Sequence, residues 1–144
     1  MYKKILIPLD GTAQAETILF QAVALAKSEG AEVVLLRIIL EPVEKFSDSN
    51  QDQIPALEQE METEASEFLK RMVAELKRSG ASVTSLLRTG PIPETILDVA
   101  GEIHADLIAM ATHGRAGLQR WLLGSVADHV VRKSPVPVML IHSN

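Results

Sequence analysis

The stretch Met110 to Val126, MATHGRAGLQRWLLGSV, gathers the residues best suited to chemistry. A short apolar run stops at a small polar loop that holds Gly114 and Gly117, and Gly124 comes just before Ser125. Glycine lets backbone come close to a ligand with its N–H groups free to face it. If Gly124-Ser125 begins a helix, the first amides there have no partner within that helix. Such amides and the positive end of the helix dipole form an anion site, to which the Ser125 hydroxyl adds a donor. Phosphate is the anion this chemistry suits. The competing reading is a turn device with no ligand, because the spacing is neither GxGxxG nor the P-loop GxxxxGK followed by Ser or Thr. Arg115 is the cation in the first turn of the loop, and its plainer role is a solvated charge.

Other reactive groups are sparse. Asp10 could help to hold a metal, and His113 is the base candidate near the glycines. Neither belongs to a carboxylate pair or a Ser/His/Asp set, so no catalytic residue is assigned. His104 and His129 read as helical surface or packing residues, and His142 ends the last strand. None has zinc-ligand spacing, and the chain has no cysteine. A phospho-receiver domain would need an acidic pair after the first strand and a Lys after the fifth. Asp10 has no acidic neighbour, and no Lys follows Ile141.

Of the 144 residues, 47% are hydrophobic and 23% charged, a globular mix able to bury a core and read as one domain over residues 1–144. The formal net charge of -5 argues against nucleic acid as the main partner. No apolar run is long enough to span a bilayer, and the start lacks the pattern of a signal peptide. These features predict a soluble cytoplasmic protein.

The elements that must position the glycines follow from periodicity and turn residues. Lys3 to Leu9, closing on Asp10-Gly11, predicts a strand. Thr12 predicts the cap of a helix running to about Glu29, with Ala15, Ile18, Leu19, Ala22 and Ala26 inward and Gly30 at its end. Glu32 to Ile39 is apolar on both faces, as suits a parallel strand covered on two sides. Glu41 to Gln53 is polar and aperiodic and reads as a long surface loop. Ile54, Leu57, Met61, Ala65, Phe68, Met72 and Leu76 form one predicted apolar stripe on a long helix ended by Gly80. Ser82 to Thr89 predicts an edge strand, followed by a Gly90-Pro91 turn. Pro93 suits the first turn of a helix that buries Ile96, Leu97, Ala100 and Ile103. Asp106 to Thr112 is the fourth strand. Leu118, Trp121, Leu122 and Leu123 are expected to pack locally. Ser125 with Asp128 has capping-box spacing for a helix that ends at Ser134-Pro135. Val136 to His142 is the fifth strand, where Pro137 suits a sheet edge. Four β-α repeats and a final β predict an open parallel sheet with right-handed crossovers and helices on both faces. Ligands of such sheets sit beyond the carboxyl ends of the strands.

The chain as a whole resembles the universal stress protein family. Its nucleotide-binding branch carries G-x2-G-x9-G followed by Ser or Thr after the fourth strand. The register here is Ala111-x2-Gly114-x9-Gly124-Ser125, with alanine at the first glycine position. The likeness extends to KKILIPLDG at the first strand, to Gly90 and Pro93 before the third helix, and to SPVPVMLI near the end.

The resemblance implies a Rossmann-like α/β fold of five parallel strands in the order 3-2-1-4-5. It implies ATP, or an adenine nucleotide generally, accompanied by Mg²⁺. Pro8, Leu9 and Asp10 would meet the adenine and ribose, and Ile38 would offer backbone groups to adenine. Met110 and Ala111 would pack under the nucleoside. His113, Gly114, Arg115, Ala116 and Gly117 would wrap the phosphates, and Gly124, Ser125, Val126 and Ala127 would donate to them. The resemblance also implies a homodimer through residues 136–142 and a stress-response role with a further protein partner, for which the 41–53 loop is the candidate reporter. A family member without nucleotide, acting through protein contacts, and a slow ATP hydrolase are the alternatives.

Overall fold

The computed structural model describes residues 1–11, 13–40, 54–113 and 124–143. The strands are β1 (Lys4–Leu9), β2 (Glu32–Ile39), β3 (Ser82–Thr89), β4 (Leu107–His113) and β5 (Val138–Ser143). The helices are α1 (Ala13–Glu29), α2 (Ile54–Arg78), α3 (Ile92–Glu102) and α4 (Ser125–Lys133). All described pairings are parallel, and the sheet order is β3-β2-β1-β4-β5, as expected. The cap expected at Thr12, the 41–53 loop and the packing of Leu118 and Trp121 to Leu123 lie outside the described residues.

Alternation along the central strands explains why helices cover both faces. Ile5, Ile7, Leu9, Val33 and Leu35 point to one side, where they pack with Leu19, Ala22 and Ala26 of α1 and with Phe68, Met72 and Leu76 of α2. Leu6, Val34, Leu36, Ile108 and Met110 point to the other, against Ile96 and Val99 of α3 and Ala127 and Val130 of α4. A strand with both faces buried leaves little place for polar side chains, which is why β2 is apolar from Val33 to Leu36 and at Ile38 and Ile39. Two crossovers in one direction and then a reversal put α1 and α2 on one face and α3 and α4 on the other. Gly30 adopts φ 69 at the end of α1, a left-handed value suited to glycine at a helix C-terminus.

Several boundaries differ from the sequence reading, for local reasons. Asp106 lies outside β4 because its carboxylate accepts the Lys3 and Lys4 amides, at 2.7 and 3.1 Å. β5 starts at Val138 rather than Val136. The Ser134 hydroxyl binds the Val136 carbonyl and amide, and Pro137 has no N–H for the ladder. His104 is not helical: it follows α3 with φ 56. The Ser125–Asp128 capping box does not form. Gly124 is the N-cap of α4, without a side-chain cap, and Ser125 is already inside the helix. The Asp128 carboxylate instead pairs with Arg132 at 3.0 Å.

The apolar stripe of α2 is buried only over its later turns. Ala65, Phe68, Met72 and Leu76 are in the core, whereas Leu57 is 55% and Met61 46% exposed. A helix of 25 residues is ~37 Å long, and a strand of eight residues spans ~26 Å. α2 therefore overhangs the sheet at its first turns, beyond the carboxyl ends of the strands. Accordingly, Leu57→Ala should change unfolding free energy by less than ~0.5 kcal/mol, while Leu76→Ala should cost ~2–5 kcal/mol, both read from urea denaturation.

Candidate functional site

The β1–β4 ladder joins Ile5 to Leu107 and Leu6 to Ile108 and goes no further. By contrast, β1 stays paired with β2 as far as Leu9 and Arg37, and β4 with β5 as far as His113 and Ser143. Beyond Leu6 the two central strands therefore part, at the point where strand order reverses. A crevice of about 510 Å³ opens there.

The crevice brings together residues far apart in sequence. From β1 and the turn after it come Pro8, Leu9 and Asp10, and from β2 comes Ile38. Met110 and Ala111 line it from β4, and Gly124, Ser125, Val126 and Ala127 from the start of α4. Ala111 is half-buried within β4 and paired with Ile141, in extended backbone that needs no glycine. His113 ends β4. Gly114, Arg115, Ala116 and Gly117 lie outside the described residues.

Sequence reading missed part of the wall. Thr112 lines the crevice, with its hydroxyl 2.9 Å from Nδ1 of His142 on β5. Ile92 and Ile96 close it from α3, and the overhanging turns of α2 supply Met61 and Glu64. Arg37 of β2 also reaches it, with its guanidinium 5.0 Å from the centre of the Phe68 ring. A lone arginine in an apolar strand carries no local signal of this, since Phe68 comes from another element.

The electrostatics follow from the helix start. Gly124 and Ser125 are exposed, and among the described residues no side chain caps the amides behind them. A Cβ built on Gly124 would meet nothing within 4 Å among the described residues. The first four amides of a helix lack internal acceptors and carry the positive end of its dipole, so this end of the crevice attracts an anion. The remaining wall is largely apolar, as suits a small organic body attached to that anion. Among the described residues no group of three or more His, Asp or Glu could hold a metal ion.

An open parallel sheet with a crevice at its switch point defines a Rossmann-like α/β ligand-binding fold. The universal stress protein family model matches residues 1–142, and the chain belongs to that family. Universal stress protein MJ0577 of Methanocaldococcus jannaschii is 31% identical over 98% of this chain and 95% of its own. The solved structure of MJ0577 aligns with a TM-score of 0.82 at 32% identity, covering 100% of this chain and 98% of that one. A universal stress protein in complex with cAMP shares the fold at 19% identity and TM-score 0.72, covering 99% and 98% of the two chains. The Archaeoglobus fulgidus universal stress protein in complex with dAMP does so at 24% identity and TM-score 0.69, over 97% and 98%.

Gly11, in the turn after β1, has φ 84, and a Cβ there would stand 2.6 Å from Nη1 of Arg37. Gly11→Ala should therefore cost ~1–3 kcal/mol of stability, most of it backbone strain because the arginine tip can move. Denaturant titration of the variant against the parent protein checks this.

Proposed function

We propose that this protein is an adenine-nucleotide-binding module of the universal stress protein family, with ATP as its ligand. The observation that carries the reading is the start of α4, whose glycine N-cap supplies no side-chain cap and which opens on a largely apolar crevice. The family relationship supports it, as do the two proteins of this fold that hold cAMP and dAMP. The amides of Gly124 to Ala127 and the Ser125 hydroxyl would hold the phosphates, with His113, Gly114, Arg115, Ala116 and Gly117 around them. Met110 and Ala111 would pack under the nucleoside, and Pro8, Leu9 and Asp10 beside the ribose and base. The Ile38 backbone would meet adenine. The alanine at 111 leaves this scheme workable because β4 needs no left-handed residue there. Mg²⁺ keeps much of its water and binds through substrate phosphates and one or two carboxylates. Asp10, in the crevice wall, is the carboxylate that would serve that mode.

The reading extends to a cytoplasmic homodimer that signals to a protein partner. β5 is a sheet edge carrying Val138, Met139, Leu140 and Ile141, and such an edge pairs readily with a second copy. Light scattering at micromolar protein should give about twice 15.7 kDa, and a monomer mass would count against the dimer. Isothermal titration should show ATP binding in the presence of Mg²⁺. Flat heats at millimolar ATP would reject the nucleotide reading.

A further inference from the structure

We propose that Arg37 is the base-stacking residue of this crevice, its guanidinium lying between the Phe68 ring and the nucleobase. The inference rests on the nucleotide reading above and adds a residue and a mode of contact to it. Phe68 is 4% exposed and takes no part in the crevice wall, whereas Arg37 is half-buried and lines that wall. The guanidinium sits over the ring, 5.0 Å from its centroid. The Phe68 ring thus holds one side of the Arg37 head group, and Arg37 is also a residue of the open crevice's wall.

The surroundings favour stacking over ion pairing. Among the described residues Arg37 makes no ion pair and no hydrogen bond, although Glu64 lines the same crevice. On another side it abuts Gly11, which has no side chain to displace it. A guanidinium is planar and weakly hydrated, and it stacks on aromatic faces in a way an ammonium cannot. Leu40 and Met61 add apolar surface to the crevice.

Arg37 also stands across β1 from the strand that leads into the anion end. It belongs to β2, and the α4 amides follow β4. One strand, β1, lies between, so two inter-strand spacings separate them, ~10 Å. With the phosphates on the α4 amides and adenine at the Ile38 backbone, as proposed above, the base lies on the β2 side of the crevice, where Arg37 is a wall residue.

The test is Arg37→Lys, which keeps the charge and removes the plane, measured by titration calorimetry with ATP and, separately, with inorganic tripolyphosphate, both with Mg²⁺. The variant should bind ATP about three- to thirtyfold more weakly than the parent protein. Tripolyphosphate, which has no base, should bind variant and parent alike, which a variant that misfolds would not do. Unchanged ATP affinity in Arg37→Lys, or an equal loss for ATP and tripolyphosphate, would overturn the stacking role while leaving nucleotide binding intact. Absence of any ATP binding to the parent would overturn both.

Discussion

The constraint on which the site depends is the early end of the ladder between β1 and β4. Parallel strands need crossovers, and right-handed crossovers send successive helices to one face until the chain reverses direction along the sheet. Here the reversal falls between β1 and β4, so no helix packs over the gap from its own βα unit. Pairing stops at Leu6 and Ile108, and the strands separate toward their carboxyl ends. The apolar residues below that point, Ile5, Leu6 and Ile108, are fully buried and hold the junction closed. The same sheet thus has a close-packed base and an open top.

The open top is furnished by elements that overrun the sheet. α4 begins at the rim with glycine as its N-cap, and a glycine cap supplies no side chain to occupy the amides. α2 begins about two turns before the sheet does, so Met61 and Glu64 face the crevice rather than the core. Arg37 lies between these two worlds, with its ring contact in the core and its edge at the crevice. An apolar wall with one electropositive end matches a ligand with an apolar body and an anionic tail.

Much of this was legible in the sequence because local signals agree with tertiary structure. The apolar run Val33 to Leu36 of β2 reports burial on both faces, and the Asp10-Gly11 turn and Gly30 mark real chain reversals. The glycines near the C-terminus pointed to α4, and the wall residues on β1, β2 and β4 fell where strand ends must lie. Three features were not legible. Periodicity places Leu57 and Met61 on the same stripe as Phe68, but it cannot say where the sheet beneath a helix stops. Ser125 and Asp128 have the spacing of a capping box, yet helix start is decided one residue earlier at Gly124, which shifts both out of register. Arg37 gave no signal because its meaning depends on Phe68 and Gly11, which only the fold brings to it.

The central claim is that the first amides of α4, set beside the gap between β1 and β4, hold the anionic end of a nucleotide. An NMR titration of isotopically labelled protein with ATP and Mg²⁺ tests this most directly. The account predicts that the amide resonances of Ser125, Val126 and Ala127 move downfield and saturate together with the binding isotherm. Saturable ATP binding that leaves those amides in place would contradict it.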